Sequence, residues 1–204
     1  MKIIRNMLIS AVILALFAAA GTFFVSYTFD STIERIHENK RIALLNAFHV
    51  LIPASAHDND IFNDIISIEN KALLGSKKPV NIYRARKENK NIGVIINSVA
   101  PDGYSGNIEL LVAIHYDGTL SGVRVVQHKE TPGLGDAIEA KRSNWIASFN
   151  NKSLKNTDTK AWAVKRDGGE FDQFTGATIS PRAIVKAVYK TLLFYKENRD
   201  SLYE

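Results

Sequence analysis

Asp172-Gln173-Phe174-Thr175-Gly176-Ala177-Thr178-Ile179-Ser180-Pro181 reads as a tight turn running straight into a helix. Ser180 suits the N-cap, where a hydroxyl satisfies an orphan backbone N–H, and Pro181 suits the first helical position, where its missing N–H costs nothing. Ala183, Ile184, Ala187, Val188, Thr191, Leu192 and Tyr195 then recur at helical spacing along one face. Gly176 and Ala177 are small enough to let a bulky group approach the backbone. The helix start, with Arg182 and Lys186 in its first turns, is an anion site best suited to phosphate. Physics alone gives equal standing to an ordinary glycine turn before a C-terminal helix.

Working outward, a second loop shares this character: His128-Lys129-Glu130-Thr131-Pro132-Gly133-Leu134-Gly135-Asp136. Its Pro-Gly and Gly-x-Gly elements force a tight, backbone-exposed path. N–H groups beside a threonine hydroxyl and a carboxylate suit a polar ligand, although most such loops, taken alone, are plain turns.

Residues 80–127 carry the pattern of strands. Residues 80–86 and 92–100 flank the polar Lys87-Glu88-Asn89-Lys90-Asn91 turn. Pro101-Asp102-Gly103-Tyr104-Ser105-Gly106 is a loop by composition. Ile108, Leu110, Val112, Ile114 and Tyr116 alternate with Glu109, Leu111, Ala113 and His115, and Asp117-Gly118 is a strong hairpin signal. Residues 119–127 supply the return strand, in which Gly122 marks a bulge or a close backbone approach. A helix is expected over residues 136–149, with Ile138, Trp145, Ile146 and Phe149 inward, and a further strand over 161–166 before the Asp167-Gly168-Gly169 turn. The fold class is α+β, an antiparallel sheet with flanking helices.

Residues 7–29 form an uncharged apolar run of about 23 residues, long enough to cross a hydrocarbon core of roughly 30 Å. Lys2 and Arg5 precede it, so the positive-inside bias leaves the N-terminus in the cytoplasm and the rest outside, in the periplasm of a Gram-negative type envelope. A cleaved signal peptide, cut near Ala18-Ala19-Ala20, is the alternative; Phe23, Phe24, Val25, Tyr27 and Phe29 argue against it by continuing the apolar run. Ser31-x-x-Glu34 reads as a capping box that opens a new helix beyond the bilayer, with Ile33, Ile36, Leu44, Ala47, Phe48 and Leu51 as its stripe and Pro53 as its end. Residues 54–79 pattern poorly and are expected to connect through short helical pieces. The organisation is residues 1–29 as cytoplasmic terminus and transmembrane anchor, 30–79 as juxtamembrane helix and connector, and 80–204 as the ligand-binding domain.

At 204 residues and 46% hydrophobic, the chain has room for one globular domain plus such an appendage. Its net charge of +5 is scattered, without a long basic run, which speaks against a nucleic-acid partner. Cysteine is absent, so a redox role needs an organic cofactor rather than an iron–sulfur cluster. His37, His49, His57, His115 and His128 show no metal-ligand spacing, and no metal site is expected.

Asp172-x-x-Thr175-Gly176-Ala177-Thr178 resembles the flavinylation motif of the FMN-binding domain shared by Rnf and Nqr electron-transport complexes. His128-x-Glu130-Thr131-Pro132-Gly133-Leu134-Gly135 is similar to that family's other signature, and residues 101–106 resemble the loop before its central hairpin. The resemblance covers most of residues 80–195 and the N-terminal anchor. Compact length and the unbroken 172–180 stretch bring it nearer the G subunits of Rnf (Rsx) complexes than the C subunits of sodium-pumping quinone reductases. It implies FMN held covalently through a phosphoester on Thr178, installed by a magnesium-dependent flavin transferase. Thr175 and Ser180 are equal alcohols on chemistry alone; the resemblance selects Thr178. It further implies ring or phosphate contacts from Glu130, Thr131, Leu134 and Gly135, with Thr175, Gly176 and Ala177 beside the bond. Tyr104 and Trp145 either flank the ring or simply pack, His128 either touches the cofactor or makes a structural hydrogen bond, and Asp172 serves either the transferase or the turn.

The implied function is that of a flavoprotein in the bacterial inner membrane, an electron-transfer subunit relaying electrons between partner subunits of an ion-translocating oxidoreductase. Such a chain is not a complete enzyme by itself. The alternative is a membrane-anchored FMN-binding sensory or regulatory module without onward transfer. A hydrolase with Thr178 as nucleophile lacks an obvious base near the motif.

Overall fold

The computed structural model describes residues 2–204, the side chains of His37 and Lys40 excepted. The chain divides into two compact units, Met1–Asn46 and Ala47–Glu204. The first is the greater part of one helix, α1 (Lys2–Leu51), whose apolar residues from Met7 to Phe29 are exposed. Among the described residues it is the one helix long and apolar enough to cross a membrane. No second helix opens at Ser31. Its hydroxyl donates to the Tyr27 carbonyl at 2.6 Å, one turn back. Inside a continuous helix there is no orphan N–H for a capping box to satisfy, so the hydroxyl turns to a carbonyl instead. The helix stops at Leu51, two residues before Pro53.

The second unit is built on a five-stranded antiparallel meander, β1 (Ile65–Ile68), β2 (Val80–Lys87), β3 (Lys90–Gly103), β4 (Gly106–His115) and β5 (Leu120–Gln127), in sequence order. A short helix α2 (Lys71–Leu74) joins β1 to β2, and α3 (Ile179–Asn198) closes the fold. Register puts Ile66, Ile82, Ile96, Val112 and Val123 in one row across the sheet. That row faces the core with Ala183, Ile184, Ala187, Val188, Leu192 and Tyr195 of α3. The helical face read from sequence is buried throughout, Thr191 included, whose hydroxyl donates to Ser98 Oγ at 2.8 Å.

The neighbouring row, Tyr83, Ile95, Ala113 and Gly122, belongs to the opposite face because strand side chains alternate. Phe48 and Phe62 close over Tyr83, with Phe48 and Tyr83 centroids 4.6 Å apart. Ser121 Oγ donates to the Leu51 carbonyl, and a Cβ on Gly122 would lie 3.1 Å from Leu51 Cδ2. Gly122 also sits where the β4–β5 register slips, as the bulge reading expects, but what approaches it closely is the Leu51 and Asn150 side chains rather than another backbone. The compact unit thereby takes in residues that the sequence reading set apart as juxtamembrane.

Four local expectations are corrected. Residues 54–79 contain a strand, β1, as well as short helical pieces. Residues 101–106 are not an open loop: β3 runs to Gly103, β4 resumes at Gly106, and Tyr104-Ser105 is the hairpin tip. The helix expected over 136–149 is two 3₁₀ turns, Gly135–Ile138 and Trp145–Phe149. Between them Ser143 Oγ donates to the Ala137 carbonyl and accepts the Trp145 N–H, replacing helical bonds with local ones. The strand expected over 161–166 is a single bridge at Val164 between the 3₁₀ turns Thr159–Ala161 and Lys165–Asp167. Here the chain doubles back through Gly168 and bonds to residues 170–171, so no partner strand is recruited.

Candidate functional site

A cleft of about 580 Å³ has three main walls far apart in sequence, the β3–β4 hairpin tip, the loop after β5 and the turn into α3, with Arg166 of the turn Lys165–Asp167 added at its edge. Thr178, Gly176, Ala177, Glu130, Thr131, Leu134 and Gly135 all line it, so seven of the eight residues expected in the site come together. Thr175 does not; it is exposed and outside the cleft lining. Tyr104 lines the rim and is 69% exposed. Trp145 is elsewhere. Its indole N–H donates to the Asp172 carbonyl at 2.7 Å and its ring meets Phe149 and Phe174 edge-on, a packing role.

The turn needs Gly176, whose φ of 81° lies in the left-handed region. Ala177 N–H then closes back on the Phe174 carbonyl. Helix α3 begins at Ile179, so Ser180 is not the N-cap but a buried residue of the first turn, and Pro181 is the third helical residue. Proline is tolerated there because first-turn N–H groups have no helical acceptor. The flanking position falls to Thr178, whose carbonyl accepts the Arg182 N–H at 3.3 Å. Its side chain caps nothing, and its hydroxyl has no hydrogen-bond partner among the described residues.

Glu130 is the centre of the cleft's framework. It is only 4% exposed, and both carboxylate oxygens are engaged. Ser105 N–H donates to Oε1 at 3.0 Å, and the Ser180 hydroxyl donates to Oε2. A Cβ on Gly135 would stand 2.9 Å from Glu130 Cβ, and one on Gly103 would stand 3.0 Å from Oε1. One side chain thus braces all three walls. His128 supports it from behind: its Nδ1 accepts the Glu130 N–H at 3.0 Å, which leaves Nε2 to donate to Glu139 at 2.7 Å. Burial pushes the Glu139 carboxyl up, but hydrogen bonds from Lys141 and His128 outweigh it and hold the group below its usual value. His128 is therefore structural.

Arg182 and Arg166 line the cleft, and sequence reading missed Arg166. Nothing in its local sequence marked it; only the fold of residues 165–171 brings it to the site. Its guanidinium makes no direct ion pair among the described residues, although its charge also acts on Asp167. Lys186, expected beside Arg182 at an anion site, instead pairs with Asp102 at 2.6 Å, outside this cleft. Asp172 pairs with Lys165 at 2.6 Å. No group of three His, Asp or Glu suited to a metal occurs among the described residues.

Arg182 makes a two-pronged pair with Asp167, Nε to Oδ2 at 2.6 Å and Nη2 to Oδ1 at 2.8 Å. The Arg182 hydrogen bond holds the Asp167 carboxyl below the usual aspartate value. The stabilisation from a depressed folded-state value is complete above the ordinary carboxylate value and is lost as pH falls to and through the depressed one. Carboxyl carbon resonances should show Asp167 titrating below an unpaired aspartate, with Arg182 freed towards the cleft in acid and at neutral pH in Asp167→Asn. Titration at the ordinary value would mean that the pair is not formed in solution.

Small residues at Gly176 and Ala177 beside the apolar side chains of Tyr104, Leu134 and Ile179 suit a flat ring. A helix start without side-chain cap, two arginines and an unpaired hydroxyl suit a phosphate. Residues 103–193 match the family described as FMN-binding domain, and residues 1–51 match the RnfG N-terminal region. The chain is thus an FMN-binding domain preceded by an apolar N-terminal helix. The G subunit of the ion-translocating oxidoreductase complex of Aliivibrio fischeri is 44% identical over 193 residues, covering 95% of this chain and 92% of the relative. Its counterpart in Pseudoalteromonas atlantica is 44% identical over 194 residues (95% and 90%), and that of Shewanella amazonensis 41% over 195 (96% and 91%). The chain belongs to the family of G subunits of ion-translocating oxidoreductase complexes.

Proposed function

We propose that this chain is a membrane-anchored electron-transfer subunit of an ion-translocating oxidoreductase complex, carrying FMN through a phosphoester on Thr178. The observation that carries the reading is the unpartnered Thr178 hydroxyl at the start of α3, where the neighbouring Ser180 hydroxyl is already given to Glu130 and the cleft's other threonine, Thr131, belongs to the loop after β5 rather than to the helix start. Thr178 Oγ would lose its proton and form the bond to phosphorus, displacing a leaving group from an activated flavin nucleotide. No acceptor among the described residues hydrogen-bonds this hydroxyl, and Glu130, in the same cleft, is engaged by Ser105 and Ser180, so a separate magnesium-dependent flavin transferase supplies that step. Arg182, Arg166 and the α3 N-terminus would hold the phosphate, and Gly176 and Ala177 would leave room for the ring, while Gly135, whose missing side chain makes way for Glu130, would offer backbone alone. Bound FMN supplies reversible one- and two-electron chemistry. Tyr104 and Leu134, exposed at the rim, would shield one side of the ring from water.

Lys2 and Arg5 ahead of the apolar run favour a cytoplasmic N-terminus, with the flavin domain in the periplasm and α1 in the inner-membrane bilayer. Partners are then the other subunits of the complex, between which electrons are relayed. Intact mass of the full chain, made with and without the transferase, tests the core of this reading. A gain of one FMN less water that requires the transferase is expected. No gain in either sample would overturn the covalent relay and leave a noncovalent flavin module.

A further inference from the structure

A second cleft, about 560 Å³, lies between α2, the end of β3 and the middle of α3. Its floor is apolar, formed by Leu73, Val99, Pro101, Ala183 and Ala187. Its rim carries Lys71, Lys77, Lys78, Lys186 and Lys190 against only two carboxylates, Asp102 and Glu109. The shape is built into the backbone: Gly75 has a φ of 73°, and a Cβ there would stand 2.0 Å from the Val99 carbonyl oxygen. Only glycine lets α2 sit this close to β3.

The lysines are not equivalent. Lys186 donates to Asp102 at 2.6 Å and Lys190 donates to the Ala72 carbonyl at 3.1 Å. The ammonium groups of Lys71, Lys77 and Lys78 meet no carboxylate among the described residues. A compact anion such as free phosphate wants donors converging on one point. Here two of the five ammonium groups already serve protein acceptors, and no arginine lines the cleft. An extended acidic segment asks for something else, cations distributed along an apolar floor.

We propose that this cleft docks an acidic segment of another subunit, with an apolar side chain on the floor and carboxylates on Lys71, Lys77 and Lys78. The inference rests on the chain being one member of a larger assembly, and not on flavin at Thr178.

Membranes holding the assembled complex, treated with a water-soluble carbodiimide, test it. The reagent joins a lysine to a carboxylate in direct contact without adding a spacer, and the Lys186–Asp102 pair provides an internal control. Links from Lys71, Lys77 or Lys78 to one acidic segment of another subunit are expected. K71E/K77E/K78E should cut the amount of chain retained with the other subunits in moderate salt about tenfold or more, with FMN loading unchanged. Internal control links with none from the three lysines to another subunit would overturn the proposal. So would shielding of the three lysines from acetylation by phosphatidylglycerol vesicles alone, which would assign the cleft to a lipid surface. Flavin read by intact mass on the same samples keeps the two ideas separate, since links can form on a chain that carries none.

Discussion

Thr178→Ala, made beside the flavin transferase, yields a chain with no covalent FMN, whereas Thr175→Ala is loaded like the wild type. The two threonines are three residues apart and chemically alike. What separates them is the turn: Gly176 in its left-handed conformation sends Thr178 into the cleft and leaves Thr175 outside. Ser180, the other alcohol of this segment, is buried and donates to Glu130, so it is no substitute once Thr178 is gone. Thr178→Ser should retain loading, because the chemistry needs a hydroxyl and the flanking position of α3 tolerates either side chain. In-gel flavin fluorescence after denaturation, with intact mass, reads all three variants. Covalent FMN persisting in Thr178→Ala would move the attachment point and sink the assignment.

The second large effect falls on Glu130, which the sequence reading expected to touch the cofactor. With both carboxylate oxygens already accepting protein donors, its main work is to hold the walls together. Glu130→Ala leaves the buried Ser180 hydroxyl without its acceptor and releases the Ser105 N–H, at the exposed hairpin tip, to water. The orphaned hydroxyl costs about 1–3 kcal/mol, and we expect a total near 2 kcal/mol. For a domain of this size that lowers the melting temperature by roughly 4–8 °C. Glu130→Gln should cost only about 1 kcal/mol, since the amide oxygen still accepts from Ser105 and its NH₂ can donate to the serine hydroxyl. Thermal melts of the full chain in detergent distinguish the pair. Equal melting of wild type and Glu130→Ala would show that the brace does not operate in solution.

Much of this architecture was legible because its signals are local. The alternation over residues 108–116, the Asp117-Gly118 turn and the apolar stripe of α3 each state their geometry within a few residues. The turn around Gly176 and the loop 128–136 likewise announced themselves as tight, and they do meet. What could not be read is what distant partners decide. Ser180 has the chemistry of an N-cap, but an acceptor fifty positions upstream claims its hydroxyl. Ser31 has the pattern of a capping box, but a helix that never breaks leaves it nothing to cap. β1 is four residues at a sheet edge, too short to show a period, and exists because β2 offers it a ladder. Residues 136–149 have helical spacing, yet Ser143 spends its hydroxyl on both sides of the break.

The closure of Phe48 and Leu51 over the outer face of the sheet bears on where this protein can be cut or recombined. The apparent seam at Pro53, where helix gives way to connector, is not a seam for the flavin domain. A soluble version begun there would leave Tyr83 without the ring of Phe48 and Ser121 without its Leu51 acceptor. The exchangeable unit begins earlier, at about Ala47. In modular terms, the last turn of α1 is inherited with the flavin domain, and any graft onto a different anchor must carry it along.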